Sequence, residues 1–218
     1  MMIFSGRGPF ILGLAAVTLA AAACSSSSST STASKSPSAT PSPAVSSTAS
    51  PSTSAAAQIT VTGKNTDLTL DASTATALKN AGVQVSPVSP AAATSSGAVS
   101  FPITGGTLTQ AGLKGQITHS GGLKFTHSGK TVTATDFVLN TTQGTLSATV
   151  NGTHVTLLAV SLAGMARTTS GSEIVASGIT STITTSAALL LDARLVVKVF
   201  TKGLPVGTLT AYITGKTA

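Results

Sequence analysis

Thr145-Leu146-Ser147-Ala148-Thr149-Val150-Asn151-Gly152-Thr153-His154-Val155-Thr156 decides the fold. Leu146, Ala148 and Val150 alternate with Ser147 and Thr149, so one face of this segment is dry and the other wet. That is the pattern of a strand in an antiparallel sheet. Asn151-Gly152 follows at once, and both residues tolerate the positive φ of a two-residue hairpin turn. The segment after the turn runs on as a second strand. Its Leu157-Leu158-Ala159-Val160 is apolar on both faces, which predicts a central position.

The same grammar extends in both directions. Upstream, Leu113, Gly115 and Ile117 alternate with Lys114, Gln116 and Thr118, and Leu123 and Phe125 alternate with Lys124 and Thr126. Ser120-Gly121-Gly122 and Ser128-Gly129 read as further hairpin turns, and Asn140 to Gly144 as a longer loop. Alternation slips phase around Asp136-Phe137-Val138-Leu139, which predicts a bulge. Residues 111–162 thus read as a meander of five strands. Outside it, Ile59 and Val61, then Val99, Phe101 and Ile103, then Leu209, Ala211 and Ile213 repeat the period of two.

Two stretches depart from the pattern in the same way. Thr69 to Ser73 leads through Ala75 and Leu78 to Val83-Gln84-Val85, and Thr182 to Ser186 leads through Ala188 and Leu191 to Val197-Lys198-Val199. Each reads as strand, polar cap, short helix, strand, with Asp71 and either Thr184 or Thr185 as caps. The expected fold over residues 58–218 is all-β: mainly an antiparallel β-sandwich whose open ends are plugged by two short helices.

Before residue 58 the chain changes character. Arg7 and the apolar run Ile11 to Ala20 precede Ala21-Ala22-Ala23-Cys24. A positive start, a short apolar core and small residues at the cut form a secretory signal, and this run is too short to span a bilayer. The arrangement resembles a bacterial lipoprotein signal. On that reading, residues 1–23 are removed and Cys24 becomes the lipidated first residue. The alternative is an ordinary secreted protein cut near Ala22-Ala23. Two acyl chains suffice for stable anchoring, so lipidated Cys24 would hold the protein to a lipid bilayer at the outer face of the cell membrane. Residues 24–57 are nearly all Ser, Thr, Ala and Pro; they bury too little apolar area to offset chain entropy, so a disordered stalk is expected.

Composition narrows the function classes. Twelve Lys/Arg against five Asp/Glu give a formal charge of +7, but the cations are spread singly and aromatics are only 3% of residues. Nucleic acid binding is therefore not expected; a cell-envelope polymer or a small ligand remains a compatible partner. Cys24 is the only cysteine, and its use as an anchor leaves no thiol for catalysis, disulfides or metal. No Gly-x-Ser-x-Gly elbow is present, and the five carboxylates are scattered. The expectation is no enzyme, no catalytic residues, no metal and no obligatory cofactor.

Gly97-Ala98-Val99-Ser100-Phe101-Pro102-Ile103-Thr104-Gly105-Gly106, then Gly121-Gly122-Leu123-Lys124-Phe125, then Asp136-Phe137-Val138-Leu139 resemble the Htaa-type domains of actinobacterial surface proteins. The resemblance implies a mostly β domain at a cell surface. Some members bind haem through a tyrosine and a histidine, so haem enters as the alternative ligand. The tryptophan-led opening usual in that family is missing, and Tyr212, the only tyrosine, does not align with the haem tyrosine.

The candidate ligand-binding residues are His127, His154 and Tyr212. His127 and His154 adjoin turns that an up-and-down meander places at one end of the sheet, roughly 10 Å apart, with His119 at the other end. Plain polar turn residues, and for Tyr212 a plain surface position, are the competing explanation. The sequence reads best as an exported, membrane-anchored protein with a non-catalytic binding or structural β domain.

Overall fold

The computed structural model describes residues 56–217. The signal segment, Cys24 and nearly all of the stalk lie outside the described residues. In chain order the elements are β1 (Gln58–Leu70), α1 (Ala72–Asn80), β2 (Gln84–Val88), β3 (Ala92–Ala93), β4 (Val99–Thr109), β5 (Gly115–His119), β6 (Gly122–His127), β7 (Lys130–Asn140), β8 (Thr145–Val150), β9 (Thr153–Ser161), β10 (Ala166–Ser170), β11 (Glu173–Ile183), α2 (Thr185–Leu195) and β12 (Pro205–Thr217).

The sheet closes on itself. Pairings run β7–β5–β4–β1–β12–β11–β9–β8, and β8 returns to β7, making an antiparallel barrel of eight strands. The expected sandwich is thus corrected to a barrel. Both architectures give each strand one dry and one wet face, so alternation does not separate them; the two-sided pairing of β7 does.

The hairpins at Ser128-Gly129 and Asn151-Gly152 form as read, with φ of 47° and 77° in the first and 46° and 84° in the second. The bulge is present as well: register shifts between Thr135 and Val138, and Asp136 takes a φ of 54°. Leu157 and Leu158 are both buried in β9, which lies between β8 and β11. A register shift at Leu146/Ser147 accommodates that pair.

Ser120-Gly121 is a bend rather than a hairpin. β5 and β6 do not pair with each other; both pair with β7, at Val138–Asn140 and Lys130–Thr135 respectively. The close approach at this bend explains the glycine: a Cβ on Gly121 would sit 2.4 Å from the Ala91 nitrogen. β6 then leaves the barrel and carries β2 on its far side.

Helix placement follows from strand direction. β1 and β11 are both antiparallel to β12, so their C-terminal ends point the same way. α1 follows β1 and α2 follows β11, so both helices lie at one end of the barrel instead of plugging opposite ends. Asp71 caps α1 by accepting from the amides of Ser73 and Thr74, and Thr184 caps α2 by accepting from Ala187. The strand expected at Val197-Lys198-Val199 is absent. The Asp192 carboxylate accepts from the amides of Val199 and Phe200, which takes donors that a sheet would need.

The far half of the barrel is filled by Leu108, Ile117, Leu139, Ala211 and Ile213, each almost wholly buried. This core lies between Ile59 and Ile213, every barrel strand finds both neighbours within the described segment, and Ser52–Ala218 forms one compact unit. The segment is a folding unit in its own right.

Candidate functional site

The helix-bearing end of the barrel is not filled. A cavity of about 80 Å³ lies there. Its walls come from the barrel through Thr66, Leu68, Phe101, His119, Phe137 and Leu158, and its cover from Ala187 and Leu191 of α2 with Leu78 of α1. Phe125 and Phe200, in edge-to-face contact with ring centres 6.2 Å apart, close one side. Phe101 and Phe137 make the same kind of contact at 5.1 Å.

Two polar side chains mark the floor. His119 follows Ile117 by two residues in β5 and so shares its inward face. Thr66 reaches the interior because β1 changes phase. Ile59 and Val61 point inward, register shifts between Val61 and Gly63, and from there Thr66 and Leu68 point inward. Thr66 is 2% exposed and His119 5% exposed.

Their hydrogen bonds fix the imidazole tautomer. The Phe137 carbonyl lies 3.2 Å from Nδ1 and only accepts, so Nδ1 carries the proton. Nε2 then accepts from the Thr66 hydroxyl at 2.8 Å. Burial pushes the His119 pKa down from 6.5 to about 4, the Phe137 carbonyl opposing in part. The ring is neutral at physiological pH.

The remaining hydroxyl on the wall, Thr74 Oγ1, donates to the Pro205 carbonyl. Among the described residues no buried side-chain nitrogen or oxygen lacks a partner. An occupant would therefore meet apolar surface with every wall donor already engaged. Among the described residues no group of three His, Cys, Asp or Glu gathers to hold a metal.

α2 is tied down at both ends. Thr184 donates from Oγ1 to the Thr156 carbonyl at 2.7 Å, and its amide donates to the Leu157 carbonyl at 3.0 Å. At the other end, His127 Nδ1 donates to the Leu195 carbonyl at 3.0 Å. Next to this roof, a shallower groove of about 290 Å³ runs between α1 and β2; it shares Leu70, Leu78 and Val85 with the cavity.

The three residues expected to bind ligand are placed as follows. His127 lies at the β6–β7 turn and His154 opposite Thr149 beside the β8–β9 turn. Both turns are at the helix-bearing end, but neither histidine lines the cavity. Tyr212 lies on the outer face of β12 between Asn65 and Val175, while its neighbours Ala211 and Ile213 point inward and are buried. None of the three is brought to the cavity; His119 is. The signal for it was the continued alternation Leu113, Gly115, Ile117, His119, which places a histidine on a dry face.

No protein-family model matches the chain, and no curated relative matches it. Among solved structures, the C-terminal domain of HtaA from Corynebacterium glutamicum is similar, with a TM-score of 0.53 at 16% identity, over 72% of this chain and 99% of that one. The heme binding protein HtaB from the same organism is similar at a TM-score of 0.44 and 10% identity, over 74% of this chain and 97% of that one. At such identities the likeness speaks for the fold, and the described residues form an Htaa-like β domain.

Proposed function

We propose that this chain is an exported lipoprotein, held at the membrane by Cys24, whose barrel binds a small apolar molecule or an alkyl chain without catalysing a reaction. The observation that carries the binding reading is the cavity under α2. It lies at a barrel mouth, where small-ligand sites commonly form, and its wall offers no free hydrogen-bonding group.

Haem is the second reading, favoured by the neutral His119 with its Nε2 turned to the cavity floor. HtaB is described as a heme binding protein, although a likeness that distant does not transfer the role. The residues present do not fit haem. Nε2 is engaged by Thr66 and Tyr212 faces outward on β12, so neither offers an iron a free ligand atom.

The test is a pair of titrations of the purified protein. A dansyl-labelled undecanoic acid is expected to gain fluorescence with saturable binding. Hemin is expected to show no Soret shift that depends on His119. A Soret shift abolished by His119→Gln would replace the first reading by the second. Absence of both signals would remove the ligand reading altogether.

A further inference from the structure

α2 carries apolar side chains on both faces, and only one face has a place in the barrel. Ala187, Ala188, Leu191 and Leu195 are buried against the cavity and core. On the opposite side Leu189 is 67% exposed and Val196 is 65% exposed. These are the exposed large hydrophobics among the described residues. Leu189 lies within α2, and Val196 directly follows its last residue, Leu195. Exposed Ser186 and Ala193 flank Leu189 on the same side of the helix.

Val196 adds an independent observation. It ends α2 with φ 57° and ψ 51°, the left-handed region where glycine or asparagine is usual. A β-branched residue there is strained. Its side chain is not repaid by burial in the domain, and strain kept without local compensation points to a use for that side chain.

The surroundings are cationic. Arg194, Lys198 and Lys202 are all exposed, and none forms an ion pair among the described residues. Asp192 is the one acid between residues 185 and 205, and its carboxylate is turned to the Val199 and Phe200 amides. Exposed apolar side chains with unpaired cations near them suit an anionic lipid interface, where the cations meet headgroups and the apolar groups the acyl boundary. The patch is a convex knob, and a fluid interface accepts a knob without a matching groove.

We propose that the outer face of α2, through Leu189 and Arg194, together with Val196, Lys198 and Lys202 of the segment that directly follows it, docks onto an anionic lipid surface from which the apolar ligand enters the cavity. This rests on the cavity being a ligand site. The inner face of the same helix roofs that cavity through Ala187 and Leu191, so docking sets the roof against the ligand's source.

The test uses residues 52–218, which carry no lipid anchor, in co-sedimentation with phosphatidylglycerol or phosphatidylcholine vesicles. Binding to the first and not the second is expected. Each surface cation contributes roughly fivefold, so the triple Arg194→Gln, Lys198→Gln, Lys202→Gln variant should bind about a hundredfold more weakly at low salt. Leu189→Ser should weaken binding about tenfold while lowering the melting temperature by no more than about 2 °C, the cost of serine's poorer helix propensity. Val196→Asn should weaken binding while raising the melting temperature, because it relieves the left-handed strain. A purely structural role for Val196 would not give that opposite pair.

Equal binding to both vesicles, no binding, or variants that bind like the wild type would overturn the proposal. So would concentration-dependent self-association abolished by Leu189→Ser, which would make the patch a protein contact. Uptake of the dansyl fatty acid without vesicles reports on the cavity alone. Uptake with no vesicle binding sinks only the docking; vesicle binding with no uptake sinks only the ligand reading.

Discussion

Acid should unfold this domain partly through one ring. His119 is neutral when folded, with a pKa pushed by burial from 6.5 to about 4. Above pH 6.5 the ring is neutral in both folded and unfolded chains, and its titration adds nothing to the pH dependence. As the pH falls through 6.5, the unfolded chain takes up a proton that the folded ring refuses. Stability is then lost at up to about 1.4 kcal/mol per pH unit, until the folded ring protonates near pH 4. At pH 5.5 the loss is about 1.4 kcal/mol, and at pH 4.5 roughly 2–3 kcal/mol.

The assay is urea denaturation of the domain and of His119→Gln at pH 7.5 and pH 4.5. Gln offers both an amide donor for the Phe137 carbonyl and an acceptor for the Thr66 hydroxyl, and it does not titrate. Asp71 also makes the domain acid-sensitive, because the Ser73 hydroxyl and the Thr74 and Ser73 amides hold its pKa down. It does so equally in both proteins and cancels in the difference. The wild type should therefore lose about 2 kcal/mol more than the variant over this range. Equal losses within about 0.5 kcal/mol would refute the buried, neutral His119 on which the site description depends.

Three further outcomes are expected. Ala187→Leu puts an isobutyl group into the cavity roof, where Ala187 is wholly buried; it should cut fatty acid uptake at least tenfold while changing the melting temperature by only a few degrees. His127→Ala removes the bond to the Leu195 carbonyl; a loss of about 1 kcal/mol in urea should accompany faster ligand release by stopped-flow fluorescence. Gly207→Ala places a Cβ 2.0 Å from the Thr69 carbonyl oxygen across the β1–β12 pairing; circular dichroism should show a domain destabilised by several kcal/mol.

Much of the strand content was legible because alternation is a local signal. Asn151-Gly152, Ser128-Gly129 and the slip at Asp136 all carry backbone demands that few residues meet, and the structure shows positive φ at each. Closure into a barrel was not legible. It depends on β7 pairing with β8 on one edge and with β5 on the other, and local alternation says nothing of which distant edge a strand finds. Ser120-Gly121 reads as a turn in either outcome, and only the antiparallel pairing of both β5 and β6 with β7 shows that the chain bends without reversing.

The site was not legible in advance. His119 reads as a polar turn residue before Ser120-Gly121, remote from the other two histidines, and its burial follows only when the alternation through Leu113, Gly115 and Ile117 is carried on past it. Thr66 did not follow, because the phase change between Val61 and Gly63 gives no pattern strong enough to shift the reading of β1. His127 attracted notice as a polar turn residue beside a hairpin. Its partner, the Leu195 carbonyl, is 68 residues away, and such a contact has no local trace. Val196 reads as an ordinary apolar residue in sequence; its left-handed backbone and exposure belong to the fold alone.

The central claim is that the space beneath α2 receives the ligand. Methyl-resolved carbon–proton correlation spectra of residues 52–218, titrated with dodecanoic acid, test it most directly. Saturable shifts of the Leu123, Leu158, Ala187 and Leu191 methyls, all on the cavity wall, are expected, with Leu108 and Ile213 in the far core unmoved. Shifts confined to Val175, beside Tyr212 on the outer face, or to Val155, beside the His154 turn, would contradict it, as would a spectrum that does not change.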